Sequence, residues 1–357
     1  MTSLLLAALS IAAVHLGPMG PDAPAREPQL AVRGSNVFLA FGAGDTIYFS
    51  ASSDAGKTFF APVRIANAPI LPLSRHRGPR LALSGNAIVV TAVTGKTAGQ
   101  GEHSHGLPSD GDLLSWRSLD DGKTWSKATI VNDVPGAPTE GLHALASDGR
   151  GRLFAAWLDK RSGKGTKLYG ARSADGGLSW SKNMLIYDSP DGTICECCHP
   201  SLAFDGEEIL VMWRNALAGS RDMYLARSAD GLSFGKPAKL GEGTWQLNAC
   251  PMDGGGIVAS NHRVVTAWRR NKEIFFAGPG EKETGVGEGT DVALAAAPGG
   301  VLAIWSSPTG VRVLFPGARE SAVVAPQGTF PAIAVLPGGR ALGAWETEGK
   351  IVVQTIP

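Results

Sequence analysis

Cysteine and tyrosine are scarce in this chain, four of each in 357 residues, and neither sign of charge prevails: 33 basic and 32 acidic residues leave a net +1. Such a balance provides no electrostatic footprint for nucleic acid or for an anionic membrane surface, so those partners are excluded. Long apolar runs are missing too. The longest, Leu4 to Val14, has eleven residues, too few to span a bilayer but suited to the apolar core of a signal peptide, with Ala23-Pro24-Ala25 as a small-residue cleavage site. No Lys or Arg precedes it, and a buried N-terminal strand is the alternative use of the same residues. The expectation is a signal peptide over 1–25 and a periplasmic or secreted mature chain over 26–357 with no membrane span. What is abundant is glycine (47), proline (23) and hydrophobic residues (43%), which together describe a turn-rich β protein with ample core and exclude disorder.

Internal repeats set the architecture. Four segments match one another: Ser52 to Phe59, Ser118 to Trp125, Ser173 to Trp180 and Ser228 to Phe234, the last one residue short; their first serines lie 66, 55 and 55 residues apart. Each follows an alternating, strand-like stretch. A second, broader repeat has seven copies, each a short apolar strand followed by another ending at Phe41, Val93, Trp157, Trp213, Trp268, Trp305 or Trp345. Units of roughly 45 to 50 residues match a four-stranded propeller blade. The last unit supplies three strands before the chain ends, so residues before Glu27 are expected to add the fourth and close the ring.

The pattern S-x-D-x-G-x-[ST]-[WF] in those four segments resembles the Asp-box repeat of the sialidase superfamily. The resemblance implies an all-β propeller with Asp-box turns between third and fourth strands; many sialidases have six blades, whereas the count here gives seven, with six as the alternative. Its chemistry is structural: Ser and Asp side chains hold backbone N–H groups of a tight turn, glycine supplies backbone freedom, and the aromatic plugs between strands. Sialidase activity further implies an arginine triad, a Tyr nucleophile with its Glu base, and an Asp acid. Here Tyr48, Tyr169 and Tyr224 sit in third strands and Tyr187 in an outer strand, so no tyrosine is left for the channel mouth.

The propeller sorts residues by face. Loops entering first strands and loops joining second to third strands share the mouth of the central channel. The entry loops bring Arg75, His76, Arg77 and Arg80 (blade two), Glu140 and His143 (blade three), Cys195, Glu196, Cys197, Cys198 and His199 (blade four), and Cys250, Met252 and Asp253 (blade five). Thiolates and imidazoles favour a soft metal, copper or zinc, so Cys195, Cys197, Cys198, His199, Cys250, His143, His76 and Met252 are the candidate ligand set. The competing use of the cysteines is disulfide formation, expected of an exported protein, with a bridge from one of the first three to Cys250 as the easier scheme. The second-strand exits offer Arg161, Arg214 and Arg269, which with Arg77 are candidates for clamping an anionic ligand. His103 and His105 lie in a long blade-two insertion suited to a lid.

Three functions follow as expectations. The first is a site for a soft metal ion or a small anionic ligand. The second is a glycoside hydrolase acting on an acidic glycan, with Glu140 or Asp159 as the acid; a metal-dependent redox enzyme is the other catalytic possibility. The third is a disulfide-stapled scaffold for a protein partner.

Overall fold

The computed structural model describes residues 13–100 and 106–356. Leu4 to Ala12 of the apolar run, and His103 and His105 of the insertion, lie outside the described residues. The chain forms seven four-stranded antiparallel sheets, and among the described residues there is no helix. In each of the first six blades the strands follow chain order. Their first strands are Ala25–Arg33, Arg80–Ser84, His143–Ser147, Ser201–Asp205, Gly256–Ser260 and Thr290–Ala297, with Thr329–Val335 in the seventh. Each first strand touches those of both neighbouring blades, the seventh meeting the first, so the sheets close a ring around a channel.

Second strands are sandwiched between blades, which is why they read as unbroken apolar runs rather than alternating ones. Leu153–Asp159 is buried throughout, and Trp157, Trp213, Trp305 and Trp345 are each at most 1% exposed.

Blade seven takes its outermost strand from the N-terminus: Val14–Leu16 pairs with Lys350–Ile356, Val14 opposite Val353 and Leu16 opposite Ile351. This is the closure expected of residues before Glu27. Leu16 and Ala25 pack with Leu39, Phe41, Ala344 and Ile351 between blades seven and one. A cut after Ala25 would remove that strand.

The repeated turns are near-copies. Ser52 Oγ donates to Asp54 Oδ1 (2.7 Å) and accepts from Gly56 N (2.9 Å), while Asp54 Oδ1 accepts from Thr58 N (2.9 Å). Ser118, Asp120, Gly122 and Thr124 repeat those distances. Glycine is required at 122 twice over: φ is +87°, and a Cβ would sit 2.0 Å from the ring of Phe49 in the preceding blade. In blades one to four the box thus ties the blade to the one before it, on the face opposite the channel mouth.

At the mouth end, the first strands of blades one, six and seven each carry a β-bulge that puts one residue in the left-handed region: Glu27 (φ 56°), Asp291 (φ 60°) and Phe330 (φ 49°). Bulges re-aim side chains. Here they direct two acids and a ring toward the channel.

Candidate functional site

The entry loop of blade four hangs from the end of its own second strand, through an antiparallel bridge between Ile194 and Asn215 and the bond Cys195 N to Arg214 O (3.2 Å). The short spacing C-x-C-C then folds its three thiols inward. Cys195 Sγ lies 3.4 Å from Cys198 Sγ and 3.7 Å from Cys197 Sγ, and all three sulfurs are within 4.8 Å of one another. They are 3%, 8% and 1% exposed for Cys195, Cys197 and Cys198, and the Met252 side chain packs against them. Among the described residues this is the group of close-set metal-ligating side chains.

Electrostatics divides the trio. Burial opposes ionisation of Cys198, but hydrogen bonds from Cys195 and Cys197 and the charge of Arg214 hold it well below the ordinary thiol value. The Cys197 bond favours the Cys195 thiolate, yet the Cys198 bond and burial outweigh it and push Cys195 up to about 12. The bonds to Cys195 and Cys198, with burial, raise Cys197 further. The trio thus pairs one lowered thiol, Cys198, with two raised ones.

The other candidate ligands stand apart. Cys250 is exposed, outside the trio, and all four cysteines are unpaired; 3.4 Å far exceeds a bonded S–S length of about 2.05 Å. No bridge links the trio to Cys250 in this structure, and the 250–252 segment offers the Met252 side chain to the cluster. His199 turns away, its Nδ1 accepting from Gly254 N (3.3 Å) and its Nε2 lying 3.0 Å from Gly255 O. Glycine at 254 makes this approach possible, since a Cβ there would meet the His199 carbonyl at 1.8 Å. His143 is fully buried against Thr91 (3.0 Å), and burial, then Arg80, push it down to about 3. His76 Nε2 is 2.9 Å from Asp291 Oδ1 and its ring lies 4.1 Å from that of His199. Each imidazole thus finds partners other than the thiols.

Of the candidate arginines, Arg214 and Arg269 lie together over the Trp245 ring, while Arg161 and Arg77 find separate partners. Arg161 pairs with Asp159 through Nε and Nη2 (both 2.9 Å), reaches Asp133 and Asn183, and lies 4.0 Å over Tyr169. Arg214, 1% exposed, donates to the carbonyls of Asp253 (3.0 Å), Arg221 (2.6 Å) and Arg269 (2.9 Å). Arg269 donates to Pro251 O and lies 3.5 Å from Asp253. Arg77 bonds the carbonyl of Glu140, whose carboxylate takes Lys160 at 2.5 Å and Arg77 at 3.5 Å. Asp159, fully buried, accepts from Trp157 Nε1 (2.8 Å) as well as Arg161. Each guanidinium thus finds oxygens in its own surroundings, although Arg269 Nε is buried without a hydrogen-bond partner. Glu140 is ion-paired with Lys160 and Arg77, and Asp159 with Arg161.

Below the trio lies a network not anticipated from sequence. Glu346 Oε1 accepts from Glu27 N (2.6 Å), Glu27 Oε1 from His76 N (2.9 Å), and Asp253 Oδ2 from Asp291 N (3.1 Å); the His76–Asp291 pair then crosses the channel. Burial pushes Glu27 up to about 7 against the pull of His76 and Arg80. Burial also raises Asp253, with Asp291 adding to it. Burial opposes charge on His76 and Asp291, but their mutual bond wins, raising the imidazole and lowering the carboxyl. His76 is reached through three successive left-handed residues, Ser74, Arg75 and His76 (φ 93°, 54° and 65°). A mouth cavity of about 470 Å³ is lined by Leu71, Leu73, Arg75, Arg77 and Met252 among others, and His76, His199 and Asp291 line a second of about 230 Å³. A polar residue just ahead of each first-strand apolar run, Glu27 and Asp291 among them, is the signal that could have found these acids.

No family model and no curated protein matches this chain. Solved structures do. A Penicillium chrysogenum α-L-arabinanase complexed with arabinobiose is 13% identical, with a TM-score of 0.56 and 98% of each chain covered. An intramolecular trans-sialidase from Ruminococcus gnavus is 12% identical, with a TM-score of 0.52 and 93% and 94% covered. An ulvan lyase is 10% identical, with a TM-score of 0.59 and 94% of each chain covered. At such identities the likeness is one of fold. Ring, blades and neighbours together define a seven-bladed β-propeller, a fold similar to that of these three enzymes.

Proposed function

We propose that this propeller binds a soft metal ion, Cu(I) foremost, through the thiolates of Cys195, Cys197 and Cys198, with the Met252 thioether beside them. The observation carrying this is the mutual approach of three buried, unbonded sulfurs within 4.8 Å. With metal–sulfur bonds of about 2.3 Å, three sulfurs around one ion sit about 4 Å apart, a spacing this cluster approaches without rebuilding the loop. The ligand chemistry favours Cu(I) over zinc, because the set is thiolate and thioether while the neighbouring imidazoles are engaged elsewhere. Arg214, beside Cys198, offsets part of the negative charge such a site gathers. Export to the periplasm or beyond belongs to the same reading. A glycan at the mouth is the second reading, motivated by the arabinobiose and sialidase neighbours; it has less support, because Glu140 and Asp159 are both ion-paired.

The test is metal analysis of protein loaded anaerobically with Cu(I) and passed over a competing chelator. One copper per chain is expected to remain. Since loss of an outer contact typically costs 10–100-fold in affinity, Cys198→Ser, which removes a ligand, is expected to weaken binding by more than about 100-fold. Cys250→Ser should leave it unchanged. Equal retention by wild type and Cys198→Ser would refute the reading.

A further inference from the structure

Cys195 Sγ lies 3.4 Å from Cys198 Sγ, three residues on, and 3.7 Å from Cys197 Sγ. A C-x-x-C pair at 3.4 Å needs a closure of little more than 1 Å to reach bonding distance. The alternatives are poorer. Cys197 and Cys198 are adjacent, so a bridge between them is strained, and Cys250 lies outside the cluster. We infer that Cys195 and Cys198 form a redox pair, and that the disulfide and the metal-bound cluster are mutually exclusive states of one site. The exclusion rests on the metal reading; the pair itself does not.

Arithmetic of ligands supports the exclusion. A bridge consumes two of three thiolates and leaves Cys197 with Met252, too few soft donors to hold the ion. Burial restricts the oxidant to a small one, and a peroxide is the class proposed. The Cys198 sulfur attacks one peroxide oxygen: an S–O bond forms, the O–O bond breaks, and the departing hydroxide leaves as water after taking up a proton. The Cys195 sulfur then attacks the Cys198 sulfur, forming S–S and breaking S–O, and the second water leaves with the Cys195 proton. Two thiols lose two electrons, and one peroxide becomes two waters. A thiol reductant reverses the change by exchange.

The experiment uses full-length Cys250→Ser, which removes the exposed thiol without touching the trio. Metal-free and Cu(I)-loaded samples receive one equivalent of hydrogen peroxide, followed by thiol titration and non-reducing peptide mapping. The metal-free protein should lose two of its three thiols to a Cys195–Cys198 bridge and regain them, with its copper capacity, on reduction. The loaded protein should keep its three thiols until copper is stripped. Adding Cys195→Ser should abolish the bridge and stop the reaction at a Cys198 sulfenic acid, one thiol lost for the one equivalent of peroxide. Persistence of three thiols in the metal-free protein, a Cys197–Cys198 bridge, or sulfinate without a bridge in the parent would overturn the pair. Bridging in a protein that never holds copper would sink the metal reading and the exclusion while leaving the pair intact; copper binding without bridging would do the reverse.

Discussion

At Glu27 the fold places a carboxyl where water cannot reach it, 2% exposed, and asks it to accept the His76 amide. Its pKa rises from 4.5 to about 7 on folding, so across that interval the folded chain holds a proton that the unfolded chain has lost. Stability must therefore fall as pH rises from 4.5 to 7, by about 3 kcal/mol from this residue. His76 acts in the same direction: its raised value makes the Asp291 pair fully stabilising below 6.5 and lost as pH climbs through the folded value. Glu27→Gln keeps an acceptor for the His76 amide but has no proton to lose. Urea midpoints should match wild type near pH 5 and exceed it near pH 8, closing most of that gap. Parallel profiles for the two proteins would show that Glu27 ionises freely in the folded state.

Leu16 and Val14 do for the ring what no local turn can: they join the chain's first described strand to its last. A chain starting at Gly17 loses three strand pairs and the Leu16 side chain between blades seven and one, an expected cost of about 2–4 kcal/mol, read as a lower denaturant midpoint. An unchanged midpoint would mean that blade seven stands on three strands. Elements of this kind divide what the sequence discloses from what it hides. Blade count, strand order and box turns repeat through the chain, so periodicity exposes them, and the three clustered cysteines are legible because four residues contain them. The buried acids were not, since a bulge and a left-handed φ at Glu27 and Asp291, not residue spacing, decide where those side chains point. The surroundings of the arginines were hidden for a related reason. Spacing placed Arg161, Arg214 and Arg269 at equivalent strand exits, but the local oxygens that capture each guanidinium differ from blade to blade.

On the scale of the whole ring, the proposed metal site is a clasp between two blades. Its thiols belong to blade four, Met252 to blade five, and Arg214 of blade four reaches the carbonyls of Asp253 and Arg269 in blade five. Blade seven, where the circle closes, is across the channel and touches none of them. A ligand that binds only the folded state stabilises it by mass action, about 1.4 kcal/mol for each tenfold excess of free ligand over the dissociation constant. Where that stabilisation appears depends on how the ring opens. First strands contact one another around the full circle, and each box turn plugs into the blade before it, so no blade can leave without exposing two others. Opening should then be global, and Cu(I) should slow hydrogen exchange in Lys350–Ile356 of blade seven by the same increment as in Glu208–Arg214 of blade four. Amide exchange with and without copper reads both strands in one experiment. Protection confined to residues 194–215 and 250–256 would mean that the clasp stiffens its own two blades only, and that the propeller opens blade by blade.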